Sequence, residues 1–189
     1  MQQLKDNVKN KIMNNARKLF YKNGYHNTTM RQIALASAIT VGNIYRYFAN
    51  KKVLFNFIVK DAYEALLLLM DDASREEQLD ILDPKYLYLI LDDFILISEK
   101  YRQELVILIR RYLDEGHYPL FLKLEKMVAS KISEGLPNIE PKMLSLITYM
   151  LFHGILFSLQ TSSQKDIGKH LSFMVEFLFK DMKERVMKL

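Results

Sequence analysis

The chain has 189 residues, half of them apolar, enough for one large or two small domains with an ample core, and its net charge is +5. It contains no cysteine, which excludes disulfides, zinc–thiolate centres and cysteine nucleophiles. The charge is unevenly divided: residues 1–60 carry 11 Lys and Arg against Asp6 alone, whereas residues 61–189 carry 16 against 21 acids. A first third at +10 suits a polyanion partner, because neutralising phosphates releases counterions.

The N-terminal stretch MQQLKDNVKNKIM has no apolar run of the kind a secretory signal needs. Val8, Ile12, Ala16, Leu19 and Phe20 then recur at helical spacing, and Gly24 suits the left-handed residue that closes such a helix. Thr29 caps a short second helix, with Gln32 placed to complete a capping box and Ile33 and Ala34 turned inward. Thr40 caps a third helix, expected over Thr40–Phe48, in which Ile44 and Phe48 face the core. A longer fourth helix begins near Lys51, passes through Val53, Leu54, Phe57, Ile58 and ALLLLM, and ends in DDASREEQLD, a linker or frayed end.

Further helices are expected at about 84–100, 103–114, 118–134, 141–161 and 165–188, punctuated by Pro84, Gly116, Pro119, Gly135, Pro137 and Pro141. No alternating run with turn signals demands a sheet, and no internal repeat occurs. The expected fold is all-α, with a small head over 1–50 and a larger helical domain over 51–189. The longest apolar stretch, Met143–Leu159, carries His153 near its centre and is shorter than the ~20 residues that span a bilayer. It predicts a buried helix with no membrane contact, in a cytoplasmic protein.

Residues 28–52 carry the chemistry. Two short helices joined by a tight turn form a helix-turn-helix, whose second helix enters the major groove while the first braces it. With Ile44 and Phe48 inward, Val41, Gly42, Asn43, Tyr45, Arg46 and Tyr47 lie on or near the exposed side. Asn43 suits an adenine edge, Arg46 a guanine edge or a phosphate, and Val41 a thymine methyl. Gly42 lets the backbone approach closely, and the two tyrosines offer hydroxyls to phosphates. Lys51 and Lys52 stand at a helix start, where amides and a cation together hold a phosphate.

Thr29, Ile33, Ala34, Ser37-Ala38-Ile39-Thr40, Gly42, Ile44, Tyr45, Tyr47, Phe48 and Lys51 form a pattern that resembles the N-terminal domain of the tetracycline-repressor (TetR) family. The resemblance covers about residues 5–55; beyond residue 60 it is one of architecture only. It implies a homodimeric repressor that binds a double-stranded palindromic operator and releases it when a small-molecule effector occupies the larger domain. It also implies that Thr29, Arg31 and Gln32 serve the second helix, Thr40 through Tyr47 the recognition helix, and Lys51 the phosphate anchor. The family usually has glycine in the turn where this chain has Ala38; a left-handed alanine costs on the order of 1 kcal/mol. Val41, where relatives often carry a polar residue, keeps the operator sequence from being transferred. An activator, or a ligand-insensitive DNA-binding protein with the same head, is the alternative.

In the larger domain, the helices at about 141–161 and 165–188 resemble the pair with which such regulators dimerise. Ile167, Leu171, Met174, Leu178, Met182 and Val186 form one stripe, and Gly154 and Ser158 permit close helix approach. The expected dimer contacts are therefore Gly154, Ser158, Leu171, Met174, Leu178 and Met182, with an internal helix pair as the alternative. Abundant Met, Phe, Tyr and Leu from residue 57 to 160 suit an adaptable apolar pocket, and equally an ordinary core. Asp92 and Asp93 interrupt an apolar run and point about 100° apart, so at most one faces inward, towards a cationic ligand or towards Arg110 or Arg111. Tyr112, Tyr149 and His153 complete the ligand candidates, with an ordinary core role as the alternative for each.

No catalytic residue, metal site or cofactor is expected. The histidines at 26, 117, 153 and 170 lack metal-binding spacing, and there is no G-x-G-x-x-G, P-loop or nucleophile elbow. An enzyme has no positive support.

Overall fold

The structure, a computed structural model, describes the backbone of residues 2–75, 84–115 and 119–186 and the side chains of 5–71, 88–115 and 121–186. The charged stretch expected as a linker beyond residue 75, together with Gly116 and His117, lies outside the described residues. All regular structure among the described residues is helical: α1 (Gln2–Asn23), α2 (Met30–Ala36), α3 (Val41–Ile44), α4 (Lys51–Arg75), α5 (Pro84–Glu115), α6 (Pro119–Gly135), α7 (Pro141–Thr161), α8 (Ile167–Phe179) and α9 (Met182–Val186).

The head forms as the apolar spacing dictates. Ile12, Ala16 and Phe20 of α1 are fully buried against Ile33, Ala34, Ile44 and Phe48. The first turns of α4 join the same cluster: Phe55 meets Phe20 edge-on at 5.6 Å and Tyr25 at 5.0 Å. α4 therefore belongs at its start to the head and, farther along, packs on α5 in the larger body. Loss of a ring such as Phe55 from this cluster would cost about 3–5 kcal/mol.

The helices expected at 84–100 and 103–114 are two arms of one bent helix, α5, whose bend falls at Tyr101 (φ −122°, ψ 27°). The second arm is the centre of the body. Leu105, Val106, Ile107, Leu108 and Ile109 are all buried, and five consecutive buried residues mean a helix enclosed on every side. Around it stand α1, α4, α7 and α8. Arg102 ties the arm to α7 by donating to the carbonyls of Leu159, at 2.6 Å, and Ser162, satisfying the helix end with a cation of the right sign.

Two expectations need correction. The helix expected to run unbroken from 165 to 188 stops at Phe179, turns through Lys180 and Asp181 (φ 53°), and resumes as α9. Aspartate tolerates that left-handed position, and Arg185 covers the exposed end of α8 through the carbonyls of Phe177 and Leu178 at 3.1 and 2.7 Å. The other concerns α7: at 21 residues it is long and apolar enough to cross a membrane by length and composition. One face of it is packed, through Ile147, Phe152 and Leu159, while Leu146, Tyr149, Met150 and Phe157 lie exposed.

Candidate nucleic-acid interface

Hydrogen bonds set the shape of the head locally. The Thr29 hydroxyl accepts from the Gln32 amide at 3.2 Å, and the Gln32 side-chain oxygen accepts from the Thr29 amide at 2.7 Å, completing the capping box. At the other end of α2 the Ala38 amide donates to Leu35 at 3.0 Å and the Ile39 amide to Ala34 at 3.1 Å. These are the paired bonds of a Schellman motif, which requires a left-handed residue at position 38. Ala38 has φ 52° and is exposed, so the turn carries the strain expected for alanine where glycine is usual. Thr40 then caps α3 by accepting from the Asn43 amide at 3.2 Å.

α3 is shorter than expected. The helix ends at Ile44, and Tyr45–Tyr47 continue as hydrogen-bonded turns, with the Arg46 amide donating to Asn43 and the Tyr47 amide to Ile44. The amphipathic division survives: Ile44 and Phe48 are buried, while Thr40, Val41, Gly42, Tyr45 and Arg46 are exposed and Asn43 and Tyr47 half-buried. Thr29, Arg31 and Gln32 share that exposure on α2. Leu35, Ala38, Ile39, Thr40, Gly42, Asn43 and Arg46 border one open groove on this surface. A Cβ at Gly42 would meet nothing within 4 Å, so no contact inside the chain requires glycine there.

Lys51 departs from the expected free phosphate cation. Its ammonium donates to the carbonyls of Tyr25 at 2.8 Å and Thr28 at 2.9 Å and lies 4.2 Å from the centre of the Tyr25 ring. Burial, and then the neighbouring Arg111 guanidinium, pull its pKa below the usual lysine range. Lys51 thus fastens α4 to the loop before α2, and Lys52 is the exposed lysine at this helix start.

That loop is also where the head meets the body, through a joint that sequence reasoning did not place: Arg110 and Arg111, expected as partners for Asp92 or Asp93, are used here instead. His26 lies 2.9 Å from Glu115, Arg111 pairs with Glu115 at 3.0 Å, and the Arg111 guanidinium stacks over Tyr25 at 4.0 Å. Arg110 donates to the Tyr21 carbonyl at 2.8 Å, and Arg17 of α1 meets Glu104 at 2.6 Å. Every body residue in this joint sits on the second arm of α5. The signal in the sequence was a pair of arginines at the end of an apolar helix, which only a partner element explains.

Leu105 and Ile109, on the same arm, line a cavity of about 140 Å³ enclosed by α4–α8, with Phe121, Leu124 and Phe152 among its walls. None of the four expected ligand residues lines it. Asp92 and Asp93 are both exposed, because the inward positions of the first arm of α5 fall at Leu91 and Phe94. Tyr149 is exposed and stacks on the half-buried His153 at 3.7 Å, away from the cavity. Tyr112 stands just behind the wall, its ring against Phe121 and Phe152, and its hydroxyl donates to Glu125 at 2.6 Å. Burial first, and then that carboxylate, push its pKa well above the tyrosine range.

The expected dimer residues are likewise placed elsewhere. Leu171, Met182 and Ser158 are buried within the chain, Met174 packs into the space left by Gly154, and Leu178 packs on the core. The stripe with the strongest helical period is the one α8 turns towards its own body. The opposite face carries exposed aromatics: Phe157 on α7 (66% exposed) and Phe173 and Phe177 on α8 (70% and 67%).

Residues 12–58 match the family model described as bacterial regulatory proteins, tetR family. The chain is 33% identical over 60 residues to the HTH-type transcriptional regulator UidR of Escherichia coli K12, covering 32% of this chain and 31% of that one. It is 30% identical over 115 residues to IcaR, the HTH-type negative transcriptional regulator of the biofilm operon icaADBC in Staphylococcus aureus strain Newman, covering 59% of this chain and 55% of that one. The chain thus spans about a third and about half of the length of these two relatives. A TetR-family regulator structure from Bordetella parapertussis 12822 superposes with a TM-score of 0.66 at 17% identity, covering 92% of this chain and 95% of that one, which extends the shared fold into the larger domain. The head, residues 12–58, is thus similar to the DNA-binding domain of the tetR family of bacterial regulatory proteins, and the helical body shares the fold of solved structures described as members of that family.

Proposed function

We propose that this protein is a dimeric, effector-responsive repressor that binds a palindromic operator in the cytoplasm. The observation that carries the reading is the exposed face of α2, α3 and the turns after it. Asn43 and Arg46 border one groove with Gly42, which has open space above it, and Arg31 and Tyr45 are exposed as well, in a first third (residues 1–60) of charge +10. Asn43 and Arg46 would read base edges, and Thr29, Thr40, Tyr45 and Tyr47 would take phosphates, with the amides at the start of α4 and Lys52 beside them. The name of IcaR, a negative regulator, favours repression over activation. Activation remains the second reading; reporter expression in a deletion strain separates the two.

Release would work through the second arm of α5. Its Leu105 and Ile109 meet whatever fills the cavity, and its Glu104, Arg110, Arg111 and Glu115 hold the head. An effector that binds one setting of this arm better than the other shifts the spacing of two heads across an operator. The exposed face of Tyr149, Phe157, Phe173 and Phe177 is the surface proposed for dimerisation, in place of the residues expected from the helical stripe. The same role accounts for the apolar exposed side of α7 without a membrane.

Anisotropy titration against the DNA upstream of the protein's own gene tests the reading. With about eight phosphates neutralised per dimer, log Kd should change with log salt at a slope of magnitude roughly 7. A slope near zero would refute DNA binding as the function.

A further inference from the structure

The cavity in the body shows a chemical preference. Among the described residues that line it every one is apolar except Lys131. Lys131 occupies a stripe position: Phe121, Leu124, Val128 and Lys131 follow one another down the same face of α6, and the first three are ordinary wall residues. A lysine at the end of such a stripe lays its methylenes along the apolar surface and brings its ammonium to the edge of the space. Its side chain is only 16% exposed, and its ion pair is a long one, 3.3 Å to Glu134, whose own side chain is 59% exposed. Among the described residues the cavity walls hold no carboxylate, so no described wall residue compensates a cation. They also hold no hydroxyl or amide side chain to satisfy a sugar or a base. In size the space is close to the ~150 Å³ apolar cavity that stays dry and takes benzene.

We propose that the cavity binds a small amphipathic anion, a carboxylate with a short aliphatic or aromatic body, and that the Lys131 ammonium receives the acid group. The tail would replace empty space against Leu105, Ile109 and Phe152, and the carboxylate would compete with Glu134 for the lysine. This rests on reading the cavity as the effector site and names the class of effector.

Titration calorimetry on the DNA-free protein, with octanoate, octanol and octylammonium below their aggregation limits, tests it. Because no operator is present, the outcome is independent of whether the head binds DNA; operator release by octanoate is measured separately by anisotropy. The wild type should bind octanoate about tenfold more tightly than octanol, the gain of one charge-assisted contact, and octylammonium most weakly. Lys131→Met should remove that tenfold preference while leaving octanol within about threefold, since its side chain keeps the apolar wall. Lys131→Arg should retain the preference. Glu134→Gln, at an exposed position where folding is insensitive, should tighten octanoate about two- to threefold by freeing the lysine. Equal binding of octanoate and octanol by the wild type, or an unchanged preference in Lys131→Met, would overturn the proposal and leave Lys131 as an aliphatic piece of wall. Failure of all three probes to bind would overturn it as well.

Discussion

Replacing Gly42 with alanine should make the protein more stable and a poorer DNA binder, two effects that no ordinary packing role produces together. Gly42 lies within α3, where glycine costs roughly 0.5–1 kcal/mol relative to alanine through the backbone freedom it loses on folding. A Cβ there meets nothing within 4 Å, so the substitution brings no clash to offset that gain. For a chain of this length each kcal/mol moves the melting temperature by about 2–4 °C, which predicts a rise of about 1–4 °C. On DNA the same methyl group would stand between the α3 backbone and the groove floor in both half-sites of a dimer. A loss of about tenfold or more in operator affinity is expected, or about 1.4 kcal/mol for each factor of ten. Melting followed by circular dichroism and operator titration by anisotropy measure the two halves. A fall in melting temperature would show that position 42 is crowded within the chain. Unchanged affinity with raised stability would show that the backbone at Gly42 does not approach DNA, and the docking face would have to be redrawn.

Three other outcomes are expected. Ala38→Gly relieves a left-handed alanine in an exposed turn and should stabilise the chain by on the order of 0.5–1 kcal/mol in urea unfolding, net of the extra freedom glycine has when unfolded, whereas Ala38→Val should destabilise it. Phe157→Glu combined with Phe177→Glu should leave helicity intact, because both rings are exposed, and should shift sedimentation from dimer to monomer with loss of operator affinity; a double variant that remains a dimer would move the interface elsewhere. The raised pKa of Tyr112 means that the folded state holds the phenol proton more tightly than the unfolded state. Its contribution is complete below about pH 10, the ordinary tyrosine value, and is lost as the pH rises through the folded value. Between pH 9 and 11, Tyr112→Phe should therefore lose less stability than the wild type in urea unfolding, and equal losses would contradict the buried hydroxyl–Glu125 contact.

The head was legible in the sequence because its determinants are local. Thr29 and Gln32 lie three residues apart and cap each other, Gly24 closes α1, and Ile44 and Phe48 share one face; the strain at Ala38 was legible only through the family resemblance, which implies glycine in that turn. Short-range hydrogen bonds and helical period specify the caps and the shared face, and a single sequence displays both. The length of α3 was the exception: Tyr45–Tyr47 keep the amphipathic pattern while the backbone leaves the α-helix for turns, and side-chain period does not register that change. In the body, an apolar stripe says that a helix face is buried but never against what. Leu171 and Met174 of α8 and Met182 of α9 turn towards their own chain, leaving Phe157, Phe173 and Phe177 outside, because α8 packs against α5 and α7. The same ambiguity hid the joint of His26, Arg110, Arg111 and Glu115, and it placed Lys131 at the edge of a cavity, while Asp92 and Asp93, which the sequence made conspicuous, face the solvent. Pairings between residues tens of positions apart depend on how the helices stack, and the tertiary structure alone decides them.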